Sequence, residues 1–320
     1  MSQPSLALLL VAIGVAFRCT AADERVKISE QPDKLRIEVN GQLFTEYHFK
    51  GAPHVYFYPV LGPGGVPMTR NWPMKEVEGE ERDHPHHRSL WYCHGAVNGV
   101  DFWSESPKAG KIVHDKFLEV QGGAESGVVR SANKWIAPEG QVIITDERLF
   151  RVYARPDSER LFDFEVTLKA GDKEVVLGDT KEGSMAIRLN EAMRLSVGRG
   201  KRGKGHIVES TGGRDDQTWG QRADWCDYYA PLDGQVVGVA LFDHPSNPRH
   251  PTWWHVRDYG LFAANPFGAH DFEKKSPGAG NWIIAPGKSA TFKYRFYMHR
   301  GDEAEAKVAE RYQEYVASVK

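Results

Sequence analysis

Cysteine is scarce in this chain, with three in 320 residues, and only Cys93 and Cys226 lie beyond residue 22. That excludes a small fold framed by disulfides and the zinc modules built on paired Cys-x-x-Cys ligands. An exported location would permit a bridge between Cys93 and Cys226, but both sit in polar, aromatic segments and the sequence does not bring them together. An excess of either charge is also missing: 41 Lys+Arg stand against 43 Asp+Glu. A nucleic-acid-binding chain would show a basic surplus, so that class is set aside. No stretch after residue 22 is apolar enough to cross a bilayer, which takes roughly 20 such residues. No repeat of fixed period is visible, which argues against a propeller.

The single long apolar run is Leu6 to Phe17, followed by the small residues Thr20-Ala21-Ala22. It reads as the apolar core and cleavage region of an export signal over residues 1–22. The expectation is a periplasmic or secreted protein with one domain over residues 23–320 and no membrane span in the mature chain.

The rhythm of the rest has period two. Lys34 to Val39 alternates, Asn40-Gly41 is a strong hairpin signal, and Gln42 to Tyr47 alternates again. The same pattern recurs over Val142–Thr145, Arg148–Tyr153, Leu161–Leu168, Val236–Phe242 and Thr291–Met298. Trp282-Ile283-Ile284 precedes a turn, Ala285-Pro286-Gly287-Lys288. Only the tail, from Ala304 to Val319, repeats at helical spacing, with Asp302 and Glu303 favouring its start. The fold class expected is all-β: a large antiparallel β-sandwich with a C-terminal helix.

Two segments carry unusual chemistry. Asp83-His84-Pro85-His86-His87-Arg88-Ser89-Leu90-Trp91-Tyr92-Cys93-His94 holds four histidines in twelve positions, and His244 to Tyr259 adds His250, His255, Arg249, Arg257, Trp253 and Trp254. Imidazole serves as acid, base or metal ligand near neutral pH, so such density points to a site that the fold assembles from both segments. On an extended segment His84 and His86 share a face and His87 points the other way. His84 and His86 could then hold a divalent metal, with a third ligand from His244, His250 or His255. Without metal, a histidine beside Arg88 could protonate a leaving oxygen or take a proton next to a carbonyl. The plainer alternative is a polar loop whose imidazoles cap backbone groups.

Other candidates sit around these. Trp91 and Trp254 could stack on sugar faces, although a single Trp is more often core. Glu182 and Arg188 are an even number of positions apart, so they share a face if Lys181–Arg188 is a strand. Glu182 could then serve as a base, or be a solvated turn residue. Asn265 could bind a hydroxyl or serve a turn. Gly198-Arg199-Gly200-Lys201-Arg202-Gly203 matches G-x-G-x-x-G, but no βαβ unit surrounds it and it is discounted.

Taken together, Asp83 to Trp91, Gly178-Asp179-Thr180-Lys181-Glu182-Gly183, His244-Pro245, Trp254 to Gly260 and Asn265-Pro266-Phe267 resemble an uncharacterised bacterial family labelled "methane oxygenase PmoA". That label suits an integral membrane protein, and no later segment here is long enough to span. The resemblance implies a β-sandwich similar to the galactose-mutarotase supersandwich, with a histidine acid and a carboxylate base. Three functional readings follow. The first is an exported carbohydrate-active enzyme of epimerase, lyase or hydrolase type, acting on a small-molecule or oligosaccharide substrate. In it His84, His87 and His255 exchange protons, Glu182 is a base, and Arg88, Arg188 and Arg257 bind anions or hydroxyls. The second is a His-ligated metal-dependent oxygenase, and the third a non-catalytic carbohydrate-binding sandwich.

Overall fold

The alternating segments are strands, and they build two large sheets. The computed structural model describes residues 24–198 and 200–318; the export segment expected over residues 1–22 lies outside them. Strands β1 (Val26–Glu30), β2 (Lys34–Val39), β3 (Gln42–His48), β4 (Tyr56–Val60) and β5 (Leu90–His94) begin one sheet. The chain crosses to a second sheet through β6 (Lys111–Gln121), β7 (Ser126–Ile136), β8 (Val142–Tyr153) and β9 (Arg160–Lys169). After the short β10 (Val175–Leu177), β11 (Gly183–Arg188) returns to the first sheet. Strands β12 (His206–Glu209), β13 (Trp225–Leu232) and β14 (Gln235–Asp243) join the second, and β15 (Trp253–Val256) and β16 (Leu261–Asn265) the first. A short helix α1 (Ala269–Glu273), β17 (Trp282–Ile284), β18 (Ser289–Arg300) and α2 (Val308–Ser318) complete the described chain.

The two sheets have eight strands each, in the orders β1-β2-β3-β4-β5-β11-β16-β15 and β12-β13-β14-β18-β9-β8-β7-β6. Every described strand pair is antiparallel. The hairpin at Asn40-Gly41 has φ of +52° and +76°, the left-handed pair that a two-residue turn needs. Val142–Thr145 and Arg148–Tyr153 prove to be one strand, β8. The segment before β18 pairs elsewhere: β17 joins β10, while β18 runs between β14 and β9. Helix α2 starts at Val308, later than expected, because Asp302 caps a separate turn by accepting from the amides of Ala304 (3.1 Å) and Glu305 (2.9 Å). Its buried Tyr312 meets Phe242 of the second sheet edge-on at 5.7 Å.

Aromatic side chains fill the space between the sheets. Phe57 and Phe150 stack at 4.3 Å, and Phe44 meets Phe162 at 5.5 Å. A charged cluster is sealed in the same layer. Asp146 accepts from Arg148 Nη2 (2.8 Å), Trp135 Nε1 (2.7 Å) and Asn133 Nδ2 (2.6 Å). Arg148 also donates across the sandwich to the carbonyl of Tyr92 at 3.2 Å. Cys93 on β5 and Cys226 on β13 are both buried free thiols in different sheets, so the permitted bridge is not formed.

The Arg148–Asp146 pair yields a stability prediction. Arg148→Met leaves a buried carboxylate without its counter-charge, so urea unfolding at pH 7 should show a loss of about 3–5 kcal/mol. Arg148→Met with Asp146→Asn should recover part of it. A loss below about 1 kcal/mol would mean that the pair does not hold the sheets together.

Candidate functional site

Register brings the two histidine-rich segments together. In the first sheet, Trp91 on β5 lies opposite Ala186 on β11, Ala186 opposite Ala263 on β16, and Ala263 opposite His255 on β15. Directly opposed residues share a face, so Trp91 and His255 look the same way, about 14 Å apart across three strand spacings. Two alanines keep bulk out of the space between them. The alternate residues Tyr92 and Phe262 meet Trp135 and Tyr228 of the second sheet. The Trp91–His255 row therefore faces away from the sandwich core, and there a cleft of about 530 Å³ opens.

The loop before β5 does not run extended. The His87 amide donates to the His84 carbonyl at 3.0 Å, closing a tight turn with Pro85 at its second position, which proline's fixed φ suits. His84 is left-handed at φ +41° and Ser89 at +59°. The expectation that His84 and His86 share one face with His87 opposite is thus corrected. The turn stacks His84 on His87 at 4.7 Å and 9°, and His86 stands edge-on to His87 at 4.5 Å. Tyr259 covers the other face of His84 at 5.3 Å, and Trp91 lies beneath His87 at 5.4 Å.

Asp83 organises this loop. Its carboxylate accepts from Arg70 and from Arg188 Nη2 (3.3 Å) on one oxygen, and from His84 Nδ1 (2.6 Å) on the other. Burial alone would raise the Asp83 pKa, but the His84 hydrogen bond and the two guanidinium charges hold it well below the usual carboxylate range. An ionised carboxylate only accepts, so His84 carries its proton on Nδ1 and leaves Nε2 a free lone pair when neutral.

His87 and His255 have the opposite arrangement. Arg188 Nη1 lies 3.1 Å from His87 Nδ1, and Trp219 Nε1 lies 3.0 Å from His255 Nδ1. Guanidinium and indole N–H groups only donate, so both Nδ1 atoms accept and both rings carry their proton on Nε2. Burial, then neighbouring positive charge, keeps both rings neutral: His87 is pushed well below 6.5, and His255 to about 3 with Arg257 and Lys181 contributing. His86 falls to about 4, chiefly through burial and then His84. The cleft thus combines one imidazole with an open lone pair and two fixed as neutral N–H donors.

His84, His86, His87, Glu182, His255 and Arg257 all line the cleft. Arg188 lies behind it, fully buried against His87 and Asp83. Glu182 stands just before β11, beside the Lys181 ammonium at 3.4 Å. Asn265 is buried and ties that loop down, donating to the Thr180 carbonyl at 2.9 Å. Trp91 is fully buried under the histidines and supports them from below. Four expected residues are engaged elsewhere. Arg88 forms a two-pronged pair with Glu105 at 2.5 and 2.8 Å. Trp254 points into the sandwich and donates to the Ala223 carbonyl at 3.0 Å, because strand parity sends His255 outward and its neighbour inward. His250 bonds Asp243 at 2.8 Å, and His244, just after β14, bonds Ser246 at 2.7 Å and meets Tyr315 of α2 at 5.1 Å.

Sequence reasoning passed over Arg70, Trp219 and Asp101. Arg70 and Trp219 are isolated in loops and have no pattern to betray them. Asp101 also lines the cleft and accepts from the amides of Trp103 (2.7 Å) and Ser104 (3.0 Å), an Asx turn that Asp-x-x-Ser could have suggested. The donor set does not suit a metal. Among the described residues no three His, Cys, Asp or Glu side chains are grouped to hold one. His84 Nδ1 is bound to Asp83, and the cleft-side nitrogens of His87 and His255 carry protons and so offer no lone pair.

The chain belongs to a family of unknown function (DUF6807), whose model matches residues 34–313. The oxygenase label of the family that the motifs resemble finds no support in this match. No curated protein matches the chain. Among solved structures it is similar to galactose 1-epimerase from Lactobacillus acidophilus NCFM, with 9% identity, 87% of this chain and 98% of that one covered, and a TM-score of 0.38. It is also similar to a GalM/aldose epimerase homologue from C. elegans, with 7% identity, 87% and 100% covered, and a TM-score of 0.35. A polysaccharide lyase shares 11% identity over 89% of this chain with a TM-score of 0.33, and the chain spans 34% of that lyase's length. These likenesses are too loose to carry an argument about chemistry, which rests on the cleft itself.

The neutral histidines have a measurable consequence. Unfolded, His255 binds a proton near pH 6.5; folded, it resists protonation until about pH 3. Between those values the unfolded state holds the extra proton, so stability falls as pH drops through the window. At pH 5, His255 alone should account for about 2 kcal/mol relative to pH 8. Urea unfolding at both pH values should show that much less pH dependence in His255→Gln than in the wild type. Equal slopes would mean that His255 titrates normally in the fold.

Proposed function

We propose that this DUF6807 member is a carbohydrate-active enzyme that moves a proton on a sugar or keto-sugar, and that it acts in the periplasm or outside the cell. The observation carrying this reading is the split among the cleft imidazoles. His84, oriented by Asp83, has a free Nε2 lone pair, while His87 and His255 offer Nε2–H groups that stay neutral. A base beside neutral donors suits removal of a proton from a carbon next to a carbonyl. His84 Nε2 takes the proton, the electron pair moves to the carbonyl oxygen, and an N–H donor holds the resulting enolate. Return of the proton to the opposite face inverts that carbon; loss of a β-substituent instead gives elimination. Glu182 lines the same cleft and is the candidate second proton carrier. The faces of Trp103 and Tyr259 supply apolar walls for a sugar ring among polar groups.

The test follows deuterium. Candidate aldoses, uronates and 3-keto-sugars are incubated in D₂O with the protein, and the carbon next to the carbonyl is followed by NMR. Wild type should wash deuterium into that carbon of its substrate or convert the compound. His84→Gln and Asp83→Asn should slow this by about 10²–10⁴, the usual contribution of a positioned acid or base. Exchange that survives His84→Gln unchanged would contradict the assignment of the base.

A further inference from the structure

We infer that the His255 end of the cleft is an oxyanion-binding subsite and that the substrate is a sugar bearing a negatively charged group, a carboxylate or a sulfate ester, held by Arg257. This rests on the reading of the cleft as the substrate site and adds the class of compound.

The arginines of this region differ in their partners. Around this cleft they are matched to acids: Arg70 and Arg188 to Asp83, Arg88 to Glu105, and Arg194 to Glu81 and Glu191. Arg257 differs. It lines the cleft, and among the described residues its guanidinium has no carboxylate or carbonyl partner. Two aromatic rings hold it instead, Trp219 at 5.7 Å and Tyr259 at 5.5 Å from the guanidinium carbon. Aromatic faces fix the plane of a guanidinium while leaving its N–H edge free, which is how a protein keeps an arginine ready for a planar anion. Glu182, the acid lining this cleft nearest in sequence to β11, lies against Lys181.

The neighbours of Arg257 make the same point. Trp219 serves twice, backing the guanidinium and fixing His255 as an Nε2–H donor. Lys181 acts on His255 from the same side, but its ammonium is paired with Glu182 at 3.4 Å. The Arg257 guanidinium and the His255 Nε2–H are therefore the groups there that donate and cannot accept. A neutral hydroxyl both gives and takes a hydrogen bond and would leave its proton unmatched among them. A carboxylate or sulfate oxygen presents lone pairs alone, and two-pronged pairing with a guanidinium suits either group.

Binding measured by calorimetry tests this without turnover. The probes are galacturonate, galactose 6-sulfate, galactose and sodium sulfate, with wild type, Arg257→Met, Arg257→Lys and His84→Gln. One charged sugar should bind wild type at least roughly ten-fold more tightly than galactose, and whichever does so identifies the anion. Arg257→Met should remove that preference, and Arg257→Lys, which keeps the charge without the fork, should restore only part of it. Unchanged circular dichroism of the variants excludes misfolding. Preference surviving in Arg257→Met, no preference in wild type, or equal binding of sulfate ion alone would overturn the inference. His84→Gln separates the two claims: its binding should persist even though exchange is lost. Charged-sugar binding without any deuterium exchange in wild type would sink the catalytic reading and leave the subsite standing.

Discussion

The Asp83 carboxylate is the constraint on which the rest of the cleft depends. It is 32% exposed, yet two fully buried guanidinium groups, Arg70 and Arg188, converge on it. Buried charge is costly unless matched, and here Asp83 serves both cations, with Glu191 beside Arg70 at 3.8 Å. Arg188 registers the crowding: burial, then Arg70, pulls it down to about 10 despite Asp83. From this hub the proton positions propagate outward. Asp83 sets the tautomer of His84 directly, and Arg188, held by Asp83, sets that of His87. Without Asp83 the turn at His84, already left-handed, would lose its anchor, and the base and the adjacent donor would both lose their orientation.

The sandwich turns this loop into part of a larger site. The antiparallel pairing of β5 with β11 puts Ser89 beside Arg188, whose amide donates to the Ser89 carbonyl at 2.7 Å. The continuation of that register through β16 to β15 delivers His255 to the same face. A proton acceptor from the loop before the interior strand β5 and a donor from the edge strand β15 thus face one volume, although more than 160 residues separate them in the chain.

Much of the fold was legible from period-two alternation and turn chemistry. Lys34–Val39, Asn40-Gly41 and Gln42–Tyr47 form the expected hairpin because alternation and a left-handed turn point to the same structure. The convergence of the two histidine segments was legible only as composition. Alternation makes the neighbours Trp253 and Trp254 face opposite ways, but which one turns outward depends on the packing of the other sheet. The His84–His87 turn defeated an extended reading because Pro85 suits both strand and turn. His250 has the same chemistry as His255, yet Asp243 satisfies it locally. Arg70 acts through a fan of hydrogen bonds to Asp83 and to the carbonyls of Trp72, Asp83 and His84, and Trp219 through one bond to His255; no local pattern can announce such contacts.

Three imidazoles in one cleft hold their protons on different nitrogens. The most direct measurement is long-range ¹H–¹⁵N NMR of the histidine-labelled protein at pH 5 and pH 7, with His84→Gln, His87→Gln and His255→Gln used for assignment. His87 and His255 are expected to remain neutral with the proton on Nε2 at both pH values, while His84 is protonated on Nδ1. A His255 that becomes doubly protonated near pH 6.5, or a His84 with its only proton on Nε2, would contradict it.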